Sequence, residues 1–226
     1  MTTVLVCFVL ASGAALAPAA EPKEPPRRHA PLVFSSPGEK ARVTFFGIQA
    51  DGGKFVYVLD RSGSMGIEGG KPLAAAKAEL IASLGGLSTV QQFQIIFYNE
   101  APRIFNPTGQ AGRLAFGSEV NKAQGRSFIE SINADGATDH EAALMTAIRL
   151  RPDVIFFLTD GDDPQLSAQQ LDRLDRRGAG ITIHTIQFGT GPQRKADNFM
   201  VRLARQSGGQ HIYVDTSKLD QPARGQ

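Results

Sequence analysis

Apolar runs of strand length alternate along this chain with stretches of helical period. Val43–Ile48, Phe55–Leu59, Phe93–Tyr98, Val154–Leu158, Ile181–Gln187 and Ile212–Val214 read as strands. Between them the spacing predicts helices over Pro72–Leu84, Ser118–Ile132, Asp139–Leu150, Ser167–Arg177 and Ala196–Gln206. In the first, Leu73, Ala76, Leu80, Ile81 and Leu84 fall on one face. Pro72 suits its first turn, where a missing N–H breaks no helical bond. Arg103–Phe105 is placed to fold back on Phe93–Tyr98 as a hairpin across Asn99-Glu100-Ala101-Pro102. The runs FVYVL from Phe55 and VIFFL from Val154 are apolar at every position rather than at alternate ones, so both of their faces must be covered. Doubly buried strands alternating with helices predict an α/β fold: a doubly wound, mostly parallel central sheet with helices on both faces. In that architecture ligands sit beyond the carboxyl ends of the strands, where the strand order reverses.

The ends of the chain follow other rules. Residues 1–20 contain no Asp, Glu, Lys or Arg, and Val4 to Leu16 is apolar apart from small residues. Ala15-Leu16-Ala17 or Ala17-Pro18-Ala19 offers a small-x-small cleavage site, so residues 1–20 read as a secretory leader, too short to span a bilayer. A membrane contact is expected only if that leader stays uncleaved. The protein is therefore expected to be exported, to the periplasm, the envelope or the outside. Six of the 13 prolines fall between Pro18 and Pro37, mixed with charge, which makes residues 21–40 a tether that cannot pack. The expected folded domain covers residues 41–214, with a polar tail over 215–226.

Composition narrows the chemistry. Among 226 residues the net charge is +2, and the densest basic run, Arg27-Arg28-His29, lies in the tether, which argues against nucleic acid as a partner. The single cysteine, Cys7, lies in the leader, so the mature chain has no thiol, no disulfide and no thiolate zinc site.

Three loops carry candidate chemistry. Asp60-Arg61-Ser62-Gly63-Ser64 follows the strand that begins at Phe55. Gly136-Ala137-Thr138-Asp139 precedes a helix, and Leu158-Thr159-Asp160-Gly161 ends another buried strand on a carboxylate. In a parallel sheet all three can meet at one edge. They pool three hydroxyls and two carboxylates, hard oxygen donors that suit Mg²⁺, Mn²⁺ or Ca²⁺ and disfavour zinc or copper. Each has a plainer reading: Ser62 and Ser64 as loop formers beside Gly63, Thr138 with Glu141 as a capping box, Asp160-Gly161 as a turn. Asp162 and Asp163 read as charges on the loop rim, and His140, His184 and His211 as structural residues without a catalytic partner at recognisable spacing.

The D-x-S-x-S pattern at Asp60–Ser64, Thr138 before a helix and Asp160 in L-T-D-G together resemble the metal-ion-dependent adhesion site (MIDAS) of the von Willebrand factor type A domain family. The resemblance covers about residues 54–214, with the three elements in the family's order. It implies that Ser62 and Ser64 bind the cation directly. Thr138 would bind directly or through water, and Asp60 and Asp160 largely through bridging waters. Ala137 stands where the family often has a second glycine. Neutral hydroxyls backed by outer carboxylates leave the ion under-neutralised, and its best further ligand is a carboxylate from outside. The expected function is thus a metal-dependent protein-binding module that engages an Asp or Glu of a partner and takes no small-molecule substrate. The alternative is an accessory subunit that docks a metal- or ATP-dependent enzyme.

Enzyme motifs fail on particular residues. A phosphate-binding loop before Lys71 would need glycine at Met65 and Ser or Thr at Pro72. A nucleophile elbow around Ser64 would need glycine at Ser62. A phosphatase using Asp60 as nucleophile would want a second carboxylate at Ser62. The chain is expected not to be an enzyme.

Overall fold

The computed structural model describes residues 42–110, 112–161, 164–193 and 197–219. The expected leader and linker, residues 220–226, Asp162 and Asp163 lie outside them. Among the described residues nine strands and five α-helices follow in order: β1 (Arg42–Phe45), β2 (Ile48–Asp51), β3 (Lys54–Asp60), α1 (Ile67–Gly85), β4 (Gln92–Tyr98), β5 (Pro102–Ile104), β6 (Ala115–Phe116), α2 (Glu119–Glu130), α3 (His140–Arg149), β7 (Val154–Thr159), α4 (Ala168–Arg177), β8 (Thr182–Gly189), α5 (Phe199–Gln206) and β9 (His211–Asp215). The main sheet runs β5-β4-β3-β7-β8-β9, with β6 pairing β4 as well. β4, β3, β7, β8 and β9 are mutually parallel, and only β5 and β6 run against β4.

The fold is the expected doubly wound α/β arrangement. Residues alternate between its two faces. Phe55, Tyr57 and Leu59 of β3 pack with Leu73, Leu80 and Leu84 of α1 and with Ile129 of α2. Val56 and Val58 pack instead with Leu144 of α3, Leu174 of α4 and Leu203 of α5. Each fully buried side chain of this kind contributes about 1.5–3 kcal/mol, and the continuous apolar strands supply both faces at once. From β3 the chain steps to β4 on one side and later to β7 on the other. The reversal therefore falls between β3 and β7, whose register pairs Leu59 with Leu158. The residues that follow, Asp60 and Thr159, emerge side by side at the crevice.

The run Val43–Ile48 is not one strand. It turns back at Phe46 (φ 48°) and Gly47 (φ 77°) into the separate hairpin β1–β2. Left-handed φ at both central residues makes the turn whose twist matches a two-residue hairpin. Phe46 tolerates that conformation because its N–H donates to Glu79 Oε1 at 2.8 Å and its ring packs edge-on against Phe45 and Phe188. The hairpin covers the sheet beside α1, with Phe45 against Phe156 and Tyr57.

Helix ends follow the sequence closely. Ser118 and Ser167 cap α2 and α4, the latter in a reciprocal capping box with Gln170. The stretch assigned to α1 is broken at Glu68, Gly69 and Gly70, all at positive φ, so the regular helix starts where Pro72 fits its first turn. The last helix begins at Phe199 rather than Ala196, because Asn198 Oδ1 caps it, accepting from Met200 N and Val201 N. Among the described residues no helix is long and apolar enough to cross a membrane.

Candidate functional site

β3 ends on Asp60, which is fully buried at the reversal point. Its Oδ1 accepts from the Ser62 N–H at 2.8 Å, and its Oδ2 accepts from the Thr159 hydroxyl at 2.6 Å. Burial pushes the Asp60 carboxyl up to about 6; these hydrogen bonds pull the other way, and the negative charge of Asp160 adds to the rise. A nearby cation would favour the ionised form.

Beyond Asp60 the chain enters a short 3₁₀ turn, Gly63–Gly66, anchored by the fully buried Met65. Ser62 and Ser64 bracket Gly63, and their Oγ atoms lie 3.0 Å apart. The backbone therefore gathers two hydroxyls beside one carboxylate, as the alternation of the sequence demands.

Thr138 lies on the loop that enters α3 and is half-buried. The Thr138–Glu141 capping box does not form. Asp139 is the N-cap, accepting from Ala142 N at 3.0 Å, while Glu141 reaches Gln170 and Arg173 on α4. The helix therefore makes no claim on the Thr138 hydroxyl. The loop is joined to the serine loop directly, since Gly63 N–H donates to Gly136 O at 3.0 Å. Gly136 sits at φ 75°, and a Cβ there would collide with the Glu100 carboxylate and the Asn99 amide, so glycine is required at this approach. Ala137 N–H donates to Glu100 Oε2 at 2.7 Å.

Asp160 follows β7 and is partly exposed; its Oδ1 accepts from Thr159 Oγ1 at 3.4 Å. Gly161 turns the chain away at φ 71°, where a Cβ would press on the Gln187 amide. Hydrogen bonds thus link Asp60, Ser62, Ser64, Thr159 and Asp160 into one cluster, and the Gly63–Gly136 bond ties in the Thr138 loop.

Around this cluster the Arg61 guanidinium meets the Asp135 carboxylate, which also accepts from Asn99 Nδ2, and Arg61, Asn99, Glu100 and Asp135 carry no short-range signature in the sequence. Thr159 is legible only as part of L-T-D-G. The others act across loops that are distant along the chain. His140, His184 and His211 have partners elsewhere in the fold. His140 Nδ1 lies 2.9 Å from Tyr98 OH and stacks on Phe199. His184 accepts from Gln210 N and stacks on Phe156, and burial lowers its pKa. His211 bonds Thr185.

Among the described residues no three His, Cys, Asp or Glu side chains gather as a metal centre of their own. A cation at this crevice would therefore need the hydroxyls of Ser62, Ser64 and Thr138, with Asp60 and Asp160 supplying charge behind them. The donors fit a hard divalent ion: all are oxygens, and the best placed are neutral.

Residues 53–212 match the von Willebrand factor type A domain family. The Escherichia coli (strain K12) protein YfbK is 29% identical over 175 residues, which cover 71% of this chain and 28% of that protein. Inter-alpha-trypsin inhibitor heavy chain H4 of Sus scrofa is 31% identical over 121 residues, 47% of this chain and 12% of its own length. The chain thus matches less than a third of either relative's length. Among solved structures, a von Willebrand factor type A protein from Catenulispora acidiphila superposes with a TM-score of 0.64 at 22% identity, covering 75% of this chain and 40% of that one. Proximal thread matrix protein 1 from the mussel byssus, with a zinc-occupied MIDAS motif, gives a TM-score of 0.54 at 16% identity, covering 74% and 43%. These structures share the fold. In the mussel protein zinc occupies the motif, so the softness argument against zinc does not hold there.

Proposed function

The chain belongs to the von Willebrand factor type A domain family, and from that premise we propose that it binds a partner protein through one divalent cation held at the β3–β7 crevice. Domains of this family typically serve as protein-interaction modules. In the proposed site Ser62 and Ser64 bind the ion directly. Thr138 joins directly or through water, and Asp60 and Asp160 hold the bridging waters. The observation that carries this reading is the pair of serine hydroxyls 3.0 Å apart beside the fully buried Asp60. The proposed ion is Mg²⁺, Mn²⁺ or Ca²⁺, which the oxygen donors suit, with zinc the competitor that the mussel protein's motif holds; when bound, the ion would offer an under-neutralised position to an external carboxylate. Asp60 stays buried and orients the Ser62 main chain, while Ser64, Thr138 and Asp160 are only half-buried.

The partner accordingly presents an Asp or Glu. A pull-down from envelope extract captures it in Mg²⁺ and loses it in excess chelator, and replacing the partner's acidic residue by its amide has the same effect. Capture that persists unchanged in chelator overturns the adhesion mechanism and leaves the fold untouched.

The reading includes export. In this reading the mature chain lacks the first ~17–20 residues, an expectation motivated by the uncharged apolar leader and its small-x-small sites. Intact mass spectrometry of the exported protein checks this, and an unprocessed Met1 species in the envelope fraction contradicts it. No catalysis is assigned to the site.

A further inference from the structure

We propose that the ion pair between Arg61 and Asp135 is a brace that sets Thr138 against Ser62 and Ser64, making both residues determinants of cation affinity that never touch the cation. The inference rests on the cation site proposed above.

Arg61 occupies the first free position of D-x-S-x-S, where the pattern asks for nothing in particular. A residue there on a loop would ordinarily face solvent. Instead Arg61 is only 8% exposed, and its guanidinium is held against a carboxylate 74 positions away. Burying a guanidinium is costly unless its partner is well placed, and among the described residues its Nε meets no partner. Such an arrangement is poor as a source of stability. Its geometry makes sense as a device for position.

Asp135 is gripped from two sides. Its N–H donates to Arg61 O at 2.8 Å while its carboxylate takes the Arg61 guanidinium. Asn99 Nδ2 donates both to Asp135 O at 3.1 Å and to its Oδ1 at 3.0 Å. Arg61 is fixed in turn, its N–H donating to Tyr98 O at 2.8 Å at the end of β4. The brace therefore joins the carboxyl ends of two sheet strands to the residue just before Gly136. From there the loop makes its left-handed turn, passes its Gly136 carbonyl to Gly63 and reaches Thr138. Loss of the ion pair leaves this loop tied to the serine loop by two main-chain bonds, Asp135 N to Arg61 O and Gly63 N to Gly136 O, and, where Arg61 is kept, by its Nη1 donating to Asn133 O at 3.4 Å.

Groups that orient metal ligands typically alter affinity 10- to 100-fold when removed. A bracing role and a mere charge effect make opposite predictions for Arg61→Met. Removing a positive charge near a cation site would tighten binding; removing a brace loosens it. The test titrates Mn²⁺ alone into the full chain and its variants, following the free-ion electron paramagnetic resonance signal, with melting in EDTA as a check on folding. Arg61→Met weakens Mn²⁺ binding about tenfold or more, Arg61→Lys restores part of the loss, and the double variant Arg61→Met/Asp135→Ala is no weaker than the single ones by multiplication. Asp135 has a 66% exposed side chain, so Asp135→Ala tests the brace even if Arg61→Met fails to fold. Its loss persists at ~1 M salt, where a surface charge effect is screened. Wild-type affinity in Asp135→Ala, or tighter binding in Arg61→Met, overturns the brace while the cation site stands. A wild-type chain that binds no Mn²⁺ removes the site itself, and the brace with it.

Discussion

Saturating Mg²⁺ raises the melting temperature of this domain by roughly 5–10 °C, and Asp60→Ala or Ser62→Ala abolishes the rise. A cation that binds only the folded state stabilises it by RT ln(1 + [L]/Kd), about 2.7 kcal/mol at 100 times Kd. For a domain of this size each kcal/mol moves the midpoint by about 2–4 °C. The site gives the effect a physical basis. Asp60 is fully buried with its carboxyl pushed up to about 6, held by Ser62 N–H and Thr159 Oγ1 rather than by a counter-charge. A cation bound at the proposed site would supply that counter-charge. Asp60→Ala removes the negative charge that recommends the crevice to a cation, and Ser62→Ala removes one of two hydroxyls 3.0 Å apart. Asp175→Ala, exposed on α4 away from the crevice, retains the full response. Melting curves in EDTA and in excess Mg²⁺ check all four proteins; a wild-type midpoint indifferent to Mg²⁺, Mn²⁺ and Ca²⁺ contradicts the account.

Phe156→Ala lowers stability by about 3–5 kcal/mol. Phe156 lies on the central strand β7 with no exposure. Its ring stacks on Tyr57 at 5.4 Å and Phe55 at 6.4 Å, meets Phe45 of the hairpin at 5.3 Å and His184 at 5.4 Å. Truncation forfeits transfer energy and leaves a cavity among four aromatic neighbours, three of them on sheet strands that cannot easily close in. It also cuts the hairpin's contact with the sheet. Phe116→Ala, at a ring 54% exposed, changes stability by at most about 0.5 kcal/mol. Urea unfolding in EDTA distinguishes the two, and a loss below ~1 kcal/mol for Phe156→Ala contradicts the packing described.

The fold was legible in the sequence wherever burial decided it. FVYVL and VIFFL announced strands covered on both faces, and Ser118 and Ser167 marked helix starts to within one residue. Local backbone chemistry was harder to read. Phe46-Gly47 hid a hairpin turn inside an apolar run, because a phenylalanine at positive φ is held there by Glu79, a contact 33 positions away. Strand β6 is two residues long and carries no period at all. At the crevice, the three loops could be named because strands ending on Asp60 and before Asp160 bring their carboxyl ends to one sheet edge; the roles expected of Ser62, Ser64 and Thr138 came from the family resemblance. The plainer reading of Thr138 and Glu141 as a capping box fails because Asp139, one residue on, caps the helix instead. Arg61, Asn99 and Asp135 were out of reach: their meaning is a meeting of separate loops, and no window of neighbouring residues contains it.

The central claim is that one divalent cation binds through the hydroxyls of this crevice, and a direct count of bound ions tests it without a partner. Mn²⁺ titrated into the purified protein should lose its free-ion resonance signal with a stoichiometry of one per chain, and Mg²⁺ should compete the ion back into solution. Ser62→Ala and Ser64→Ala, folded by circular dichroism, should leave the signal of free Mn²⁺ intact, while Asp175→Ala should bind as the wild type does. Undiminished free Mn²⁺ in the presence of wild-type protein, or one bound ion per chain in both serine variants, would contradict the account.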